Sequence, residues 1–435
     1  MTDPRYLAVR LLTKTFTNGS YSNIQLRSGL DSSDLNERGK KLCSAIYYGV
    51  IERRLTLDHI ISGLSSRPMS KLDDVILNIL RSGIYQILYM ESIPDNASVS
   101  ESVALAKKCG KTSASGMVNA ILRNFIRKGK KIEMPKDKTN ALSVKYSAPS
   151  WLVESLVSDY GTELAENLLS DSLGSPPVTV RSNPLVCSDE EFISAWEDGR
   201  NVVSSDILPH CFHFPDSDPV HSKLFSKGLF HVQDMASQLC CSAVAPDEND
   251  TVLDICSAPG GKTFTMAEMM NGKGRIIACD LHEKRVKLIK DGAERLGLEN
   301  IAAQTGDASV FNENLPKFSK ILCDVPCSGV GAIRRKPEIK YKNPEDFNNL
   351  PEIQYAIAKN ALNYLAVGGE MVYSTCTLRK AENDDVVNRL LAENPCIEPV
   401  QLPSPLGEKF GSSASIFPCH FGSDGFFIAK FRKIR

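Results

Sequence analysis

Apolar residues in the first third of the chain recur every three or four positions. This spacing places them on one face of an α-helix, so it predicts helices. The runs cover residues 6–16, 41–61, 73–90 and 98–109. Pro68 and Pro94 interrupt the pattern, and Ser98 followed by Glu101 is typical of a capping box at the start of a helix. We therefore predict an all-helical domain over residues 1–140.

From about residue 225 the pattern changes to short apolar runs separated by helical ones. The apolar runs end at Cys256, Asp280, Asp307, Cys327 and Thr377, and helical patterns cover residues 263–270, 283–297, 353–365 and 382–394. Strands that alternate with helices predict a parallel sheet. Two last strands over residues 415–434 predict a hairpin. We expect a Rossmann-like α/β domain over residues 226–435.

The segment between these two patterns, residues 145–225, is mixed. One or two helices are predicted over residues 146–172 and a strand over residues 176–183. The Pro-Pro start of that strand suits the edge of a sheet, because proline has no N–H to donate. After a linker at residues 132–150, we predict a small α+β connector domain. Contact with RNA and a purely structural role both remain open for it.

The charge of the chain is divided unevenly, although the total is −1. Residues 1–150 hold 23 Lys and Arg against 13 Asp and Glu, whereas the remainder holds 28 against 39. The basic residues of the helical part concentrate late, at Lys107, Lys108, Lys111, Arg123, Arg127, Lys128, Lys130 and Lys131. A basic module joined to an acidic one is typical of a protein that binds a polyanion through one of its ends. We expect the helical part to bind nucleic acid.

Composition argues against several other classes of protein. The hydrophobic share of 42% and the charged share of 24% are ordinary for a globular protein. No apolar run is long enough for a bilayer, and the first residues lack a secretory pattern. Thirteen cysteines, an odd number, lie mostly inside apolar runs, and none forms a Cys-x-x-Cys pair. We expect a cytoplasmic protein with no disulfide scaffold, no membrane contact and no metal.

The stretch Thr251–Thr263, TVLDICSAPGGKT, carries the first candidate site. A buried strand that opens through glycines into a helix leaves backbone N–H groups unpaired at the turn. Such a turn, at the carboxyl end of a strand, is where α/β enzymes hold nucleotide-like ligands. We predict that it binds S-adenosyl-L-methionine (SAM), with Lys262 placed to pair with the carboxylate of the methionine part. The predicted binding residues are Cys256, Ser257, Ala258, Pro259, Gly260, Gly261 and Lys262.

The same stretch partly matches the phosphate loop of nucleoside triphosphatases. PGGKT resembles the end of the GxxxxGK[ST] motif. However, the first glycine of that motif falls at Cys256, and Pro259 removes a backbone donor from the loop that would wrap phosphates. We therefore favour SAM over a nucleoside triphosphate as the ligand.

Carboxylates follow three further predicted strands. Asp280 could accept hydrogen bonds from ribose hydroxyls, and Asp307 could accept one from an adenine amino group. Asp324 ends the strand before Cys327. A single Asp after a strand is often only a helix N-cap, and this interpretation stays open for Asp280. Because these residues follow successive strands, we predict that they share the cofactor pocket.

Two cysteines at strand ends suggest methyl transfer to a pyrimidine. Cytosine C5 is a poor nucleophile, but a thiolate that adds to C6 makes C5 electron-rich enough to accept a methyl group. An acidic group near N3 assists the addition. Asp324, Cys327 and Cys376 supply these groups on adjacent strands. Spacing does not tell which cysteine attacks, and either one alone could be a small buried residue.

The helical part resembles a known RNA-binding fold. Residues 35–61, 80–108 and 116–129 are similar to the fold of the antitermination factor NusB. The similarity extends over nearly the whole first third of the chain. Since such a domain occurs alone or fused to a methyltransferase, it implies contact with RNA but no chemistry.

The second half resembles the Sun family of RNA cytosine-C5 methyltransferases. The matching motifs are LDICSAPGGKT, CDVPCSGVGAIRRKPEIK, VYSTCTLRKAEND and DGFFIAK. With the NusB-like part in front, the chain resembles the bacterial RsmB (Sun/Fmu) branch, which modifies 16S ribosomal RNA. This resemblance implies a Rossmann-like SAM-dependent methyltransferase domain preceded by an all-α NusB-like domain and a small α+β connector.

The resemblance also implies roles for individual residues. Cys376 would be the nucleophile, Cys327 would assist product release, and Asp324 would contact both the cytosine and the cofactor. Residues 256–262, Asp280 and Asp307 would also bind SAM. Arg334, Arg335 and Lys336 match a basic loop expected to touch the RNA backbone.

The resemblance places the methylated base at position 967 of 16S rRNA. We expect the substrate to be free or partly assembled RNA rather than DNA, because the target base must be unstacked. We also expect a monomer.

Two alternatives remain. A non-catalytic RNA-binding factor of the antitermination kind would carry the same helical part but would not bind SAM. A DNA cytosine methyltransferase would use Cys327 as the attacking residue and would leave the helical part without a role.

Overall fold

The computed structural model describes residues 2–18, 22–196, 201–215 and 217–435. The chain divides into two compact units, each assembled from two stretches of sequence. The first unit comprises Met1–Leu173 and Lys336–Lys342, and the second comprises Gly174–Arg335 and Asn343–Arg435. The domain boundaries expected from the sequence, at residues 1–140, 145–225 and 226–435, are not tested by this division and stay predictions.

The first unit is built of α-helices, and those within residues 4–127 enclose a hydrophobic core. Its central helix carries Ile79, Leu80 and Ile84, all fully buried. The helices are α1 (Pro4–Asn18), α2 (Ser22–Asp31), α3 (Glu37–Glu52), α4 (Arg54–Leu64), α5 (Asp74–Tyr89), α6 (Asp95–Lys108), α7 (Ser115–Arg127), α8 (Lys138–Tyr146), α9 (Ser150–Tyr160) and α10 (Thr162–Asp171). The predicted helical character of this part of the chain is confirmed.

Three details of the helical prediction were wrong. The run over residues 41–61 divides into α3 and α4 at Arg53. The capping box at Ser98 does not form, because α6 already begins at Asp95 and buries Ser98 in its interior. The predicted linker contains α8, whose first turn is capped by the Asp137 side chain accepting from the Asn140 N–H.

A small antiparallel sheet opens the second unit. Its elements are β1 (Val178–Ser182), α11 (Asp189–Ser194), β2 (Val203–Ser204), β3 (Cys211–Phe214), α12 (Lys223–Ser226) and β4 (Phe230–Val232), with strand order β2-β3-β1-β4. The prediction of an edge position for β1 was wrong. Both prolines precede Val178, so the N–H groups of β1 remain able to pair with β3 and β4.

The main sheet has eight strands, and five neighbouring strands of it run parallel to one another. Strands β7, β6, β5, β8 and β9 run parallel in that order, and antiparallel β12 pairs with β9, β10 and β11. The elements are α13 (Met235–Val244), β5 (Thr251–Asp254), α14 (Gly261–Met269), β6 (Arg275–Asp280), α15 (Glu283–Leu296), β7 (Ile301–Thr305), β8 (Phe318–Asp324), α16 (Leu350–Tyr364), β9 (Leu365–Thr375), α17 (Asp384–Glu393), β10 (Ile397–Pro399), α18 (Leu406–Phe410), β11 (Ser413–Ile416), α19 (Pro418–Phe421) and β12 (Phe426–Lys433). The predicted α/β architecture with its final hairpin is confirmed.

Alternate residues of the central strands pack on opposite faces of this sheet. Val252 and Leu322 join the core formed with α13, α14 and α15, whereas Leu253 and Cys323 join the core formed with α16 and α17. Both faces are therefore covered, as expected for a parallel sheet. The carboxyl ends of β5, β6, β8 and β9 are left at one edge, where the candidate site lies.

None of the helices in the described part of the chain combines the length and apolar character needed to cross a bilayer.

Candidate active site

The turn between β5 and α14 has the geometry that the sequence predicts for a ligand-binding loop. Gly260 adopts φ +111°, and a Cβ at this position would lie 2.4 Å from the Phe264 ring. Glycine is therefore required here. The Ser257 hydroxyl donates to the Cys279 carbonyl at 2.8 Å, which fixes the turn against β6. The first backbone N–H groups of α14 thus face a fixed opening.

A cleft of about 220 Å³ opens beside this turn. Six of the seven predicted loop residues line it: Cys256, Ser257, Ala258, Pro259, Gly261 and Lys262. Gly260 shapes the turn without lining the cleft. Asp234, Asp254 and Asp324 supply carboxylates to the same cleft.

Asp254 is the clearest residue of this cleft that the sequence-based site omitted. Its Oδ2 accepts a hydrogen bond from the Thr263 hydroxyl at 2.7 Å, whereas Oδ1 has no hydrogen-bond partner among the described residues. Burial raises the pKa of the Asp254 carboxyl to about 7. A buried carboxylate oxygen without a partner fits a cationic donor, such as the ammonium group of an amino-acid-like ligand.

The other predicted carboxylates occupy different surroundings. Asp280 is buried, and its oxygens accept the N–H groups of Ala258 and His282, so it holds the turn in place. Arg285 lies 3.2 Å from the same carboxylate. Asp307 is exposed and lines a second cavity of about 460 Å³, to which Ile255 also contributes. Roles for Asp280 and Asp307 in cofactor binding stay predictions.

Lys262 and Asp324 form an ion pair across the cleft. Lys262 Nζ lies 2.8 Å from Asp324 Oδ2, and the Ser374 hydroxyl donates to Asp324 Oδ1 at 2.8 Å. Burial alone would lower the pKa of Lys262, but the attraction of Asp324 holds it above its ordinary value. The predicted pairing of Lys262 with a ligand carboxylate would therefore have to compete with Asp324.

The two predicted cysteines meet at this edge of the sheet. Cys327 Sγ lies 3.1 Å from Cys376 Sγ, because β8 and β9 are adjacent parallel strands. The hydrogen bond with Cys376, together with burial, raises the pKa of the Cys327 thiol. At this distance either thiol can donate its S–H to the other sulfur.

Glu382 ties the two cysteine loops together and is absent from the sequence-based site. Its side chain is fully buried. Glu382 Oε2 accepts from the Ser328 N–H at 2.9 Å and from Gln354 Nε2 at 3.0 Å. Glu382 Oε1 accepts from Arg379 Nη1 at 3.1 Å. One carboxylate therefore joins the loop after Cys327 to the loop after Cys376.

The loop after Cys327 is also fixed by its backbone and by Arg335. The Gly331 N–H donates to the Cys376 carbonyl at 3.0 Å, and the Gly425 N–H donates to the Gly331 carbonyl at 2.9 Å. Arg335 lies 2.7 Å from Asp424 and 2.8 Å from Asp234. The guanidinium expected to contact RNA is thus bound to two carboxylates of its own unit, and Lys336 belongs to the first unit.

No group of three or more His, Cys, Asp or Glu side chains in the described ranges has an arrangement that could hold a metal ion.

Comparison with family models divides the chain into three matched regions. Residues 2–127 match the NusB family, and residues 148–221 match the ferredoxin-like domain of the RsmF/B-like methyltransferases. Residues 241–432 match the 16S rRNA methyltransferase RsmB/F family.

Curated relatives match over the full length of the chain. A probable ribosomal RNA small subunit methyltransferase B from Bacillus subtilis is 36% identical, with 99% of each chain covered. A protein of the same description from Synechocystis is 32% identical, with 100% of each chain covered.

Solved structures support the same fold. The crystal structure of PH0851 aligns with a TM-score of 0.84 at 24% identity, covering 100% of this chain and 99% of that one. NSun6 from Pyrococcus horikoshii with SFG aligns with a TM-score of 0.60 at 22% identity, covering 66% of this chain and 98% of that one.

Proposed function

We propose a reaction for this chain from the premise that it belongs to the ribosomal RNA small subunit methyltransferase B family. The predicted resemblance to this family and to NusB is confirmed, and so is the predicted cofactor, S-adenosylmethionine. The chain is accordingly a SAM-dependent rRNA methyltransferase. The atom that is methylated, and the residues that act on it, are the subject of the proposal.

We propose that the chain methylates C5 of a cytosine in 16S rRNA, by resemblance the cytosine at position 967. The proposal rests on one observation above all. Cys327 and Cys376 lie with their sulfurs 3.1 Å apart at the ends of adjacent strands, beside the cleft that contains Asp254 and Asp324. Methylation at a ring nitrogen or a ribose hydroxyl would need no thiol, whereas C5 methylation needs a nucleophile for C6.

The residues of the cleft fit the cofactor. The unpaired Oδ1 of Asp254 suits the ammonium group of the methionine part, and the turn at Gly260 allows backbone N–H groups to approach the ligand closely. When bound, SAM supplies a methyl group on a positively charged sulfur. Residues 256–262 and Asp324 would hold it within reach of the cysteine pair.

In the proposed mechanism Cys376 is the nucleophile. Its thiolate adds to C6 of the cytosine, and the electron pair of the C5–C6 bond becomes available at C5 for methylation. Asp324, paired with Lys262 and Ser374, would accept a hydrogen bond from the N4 amino group of the cytosine, next to N3, and so orient the ring. After methylation the C5 proton leaves, the C6–S bond breaks, and the thiolate of Cys376 is restored.

Cys327 is proposed to act in this last stage. The hydrogen bond with Cys376 and burial raise the pKa of the Cys327 thiol, so Cys327 is proposed to keep its proton when Cys376 attacks as a thiolate. Once Cys376 is bonded to the base, Cys327 would release its thiol proton to solvent, and its thiolate would take the C5 proton as the C6–S bond breaks. Attack by Cys376 and release through Cys327 agree with the roles implied by the family resemblance.

Two variants test these roles. Cys376→Ala should abolish methyl transfer to 16S rRNA transcripts, and Cys327→Ala should stop turnover after one methyl transfer. Cys419→Ala is the matched control, because Cys419 is an exposed cysteine of the same unit. Full activity of Cys376→Ala would contradict the proposal. Transfer of the methyl group to DNA in place of RNA would favour the DNA alternative.

The alternative of a non-catalytic antitermination factor predicts no cofactor binding. Calorimetry with SAM separates the two functions, because that factor would give no heat of binding. Free or partly assembled rRNA as substrate, a monomeric state and a cytoplasmic location stay predictions.

A further inference from the structure

The helical unit contains a cavity that the proposed reaction does not use. It has a volume of about 370 Å³ and lies between the end of α4 and the segment that follows α7. Its lining includes His59, Gly63, Phe125, Lys128, Lys131 and Met134. All these residues belong to the first compact unit. The volume is at the lower end of the range for small-ligand sites, which suits a single flat ring system.

The floor of this cavity is apolar, and its edge is open to solvent. Phe125 and Ile60 are buried beneath it, whereas Met134 at its edge is 47% exposed. His59 Nε2 lies 2.6 Å from the Glu133 carbonyl, so one wall is held in place before any ligand arrives. An apolar floor with a fixed wall suits a stacking ligand, because little conformational entropy is lost on binding.

The rim of the cavity is strongly basic. Residues 123–138 contain seven Lys and Arg against two Asp and Glu. Lys128 is 3.7 Å from Glu133, in a pair whose side chains are 49% and 87% exposed, so this pair competes weakly with a phosphate. Lys131 is exposed on the same rim. This charge suits a polyanion better than the apolar segment of a protein partner.

We propose that this cavity binds one unstacked nucleobase of the rRNA substrate, away from the methylated cytosine, with the flanking phosphates on Lys128 and Lys131. The inference rests on the proposed function for the identity of the polymer. The base would pack against the exposed side chain of Met134, above the buried ring of Phe125, and the two lysines would contact the backbone. The site would add affinity and register without taking part in methyl transfer.

Filling the cavity tests the proposal. Gly63 lines the cavity and a Cβ there would meet no atom within 4 Å, so Gly63→Phe adds a ring to the cavity lining without a clash at the backbone. Gly116 is equally open and lies in a helix of the same unit, so Gly116→Phe is the matched control. Gly116 is about 14 Å along α7 from Phe125. Binding is measured with 16S rRNA transcripts on the full-length protein at fixed salt.

Gly63→Phe should weaken RNA binding about tenfold, since one stacked base is lost. Gly116→Phe should bind RNA as the unaltered protein does, and SAM affinity should be unchanged in both. Unchanged RNA affinity in Gly63→Phe would overturn the proposal and favour a protein ligand for the cavity. Because binding is the readout, this outcome is distinct from failure of cytosine methylation, which is measured on the unaltered protein.

A second variant covers the case in which Gly63→Phe does not fold. Met134→Glu alters an exposed residue and places a carboxylate at the edge of the cavity. Met134→Glu should weaken RNA binding by about the same factor. Lys131→Ala should lower the slope of log affinity against log salt concentration by about one, because one phosphate contact is lost. Photocrosslinking of 4-thiouridine-labelled 16S rRNA should place a nucleotide on the segment around Met134 in the unaltered protein. Absence of that crosslink, with affinity retained in Met134→Glu, would reject the site.

Discussion

At the scale of single residues, the proposed cofactor site relies on a polar group held in a buried position. Asp254 is 1% exposed, with one oxygen satisfied by Thr263 and the other facing the cleft unpaired. Such an oxygen costs free energy in the ligand-free protein and is stabilised when a cationic ligand pairs with it. Asp254 therefore links cofactor binding to pH.

We expect SAM affinity to fall as the pH is lowered through about 7, the pKa to which burial raises the Asp254 carboxyl. Protonation removes the charge that attracts the ammonium group. In the unfolded chain this carboxyl titrates near 4. The free energy of unfolding of the ligand-free protein should therefore decrease as the pH rises from about 4 to about 7. Calorimetric titration with SAM from pH 6 to pH 8 measures the first effect.

Asp254→Asn is the comparison for that titration. Its SAM affinity should be weaker and nearly independent of pH over the same range. A pH dependence that persists in Asp254→Asn would assign the effect to another group.

The residues proposed to carry chemistry were predicted from sequence, whereas Glu382, which would position them, was not. The strand-end pattern placed Cys327 beside Cys376, and the structure brings their sulfurs to 3.1 Å. Glu382 was missed because its partners, Ser328 and Gln354, are 54 and 28 positions away along the chain. Hydrogen bonds between distant loops leave no periodic pattern in the sequence. The signal available was its place within the motif VYSTCTLRKAEND.

Glu382→Gln should lower kcat about 10- to 100-fold while the affinity for SAM changes little. The amide keeps the size of the side chain but loses the charge that holds Arg379, so the two cysteine loops shift relative to each other. Glu352→Gln is the control, since Glu352 pairs with Arg389 in a largely exposed position. Equal losses of kcat and of SAM affinity would indicate general unfolding rather than positioning.

At the scale of elements, the loop after Cys327 is fixed by close contact between backbones. The Gly331 N–H donates to the carbonyl of Cys376, and a Cβ at Gly331 would lie 2.0 Å from the Gly425 carbonyl oxygen. Arg335 anchors the far end of the loop between Asp234 and Asp424. The loop is thus aligned by its own unit, and contact of Arg335 with RNA stays a prediction.

Gly331→Ala should reduce methyl transfer by at least about tenfold, because the loop must move away from Gly425 to admit the methyl group. Helix content and SAM binding should stay close to those of the unaltered protein. Gly116→Ala, in open space, should retain full activity. An active Gly331→Ala would show that the loop tolerates displacement.

Secondary-structure elements were predicted correctly where both faces of a strand are buried. The position of a strand within its sheet was predicted wrongly where it depends on pairing with strands distant in sequence. The strands of the parallel sheet are apolar because both faces are covered, so their positions are visible in the sequence. The interior position of β1 depends on β3 and β4, which follow it in the chain. Local proline content could not reveal that arrangement.

At the scale of the whole molecule, the first unit includes a segment from a distant part of the chain. Lys336–Lys342 follows the loop after Cys327 in sequence but belongs to the same compact unit as the helices of the first 173 residues. Lys340 Nζ donates to the Glu52 carbonyl at 2.8 Å, and the Tyr341 hydroxyl donates to the Ile51 carbonyl at 2.8 Å. No local pattern in the sequence indicates a contact across 288 positions, and the predicted basic loop included only Lys336 of this segment.

The buried lysine gives this unit a characteristic pH dependence. Burial lowers the pKa of Lys340 to about 7, whereas an unfolded lysine titrates near 10.4. Between these values unfolding takes up a proton, so the free energy of unfolding should rise with pH from about 7 to about 10. Thermal unfolding of the full chain across this range should show the rise.

Lys340→Met should flatten that rise, whereas Lys342→Met, at an exposed position of the same segment, should preserve it. A rise of the same size in Lys340→Met would mean that the proton is taken up elsewhere.

The most direct test of the central claim is peptide mass spectrometry on Cys327→Ala incubated with SAM and a 16S rRNA transcript. The account predicts a denaturation-resistant adduct in which the sulfur of Cys376 is bonded to a methylated cytosine. An adduct on any other residue, or methylated RNA released at the normal rate with no adduct, would contradict it.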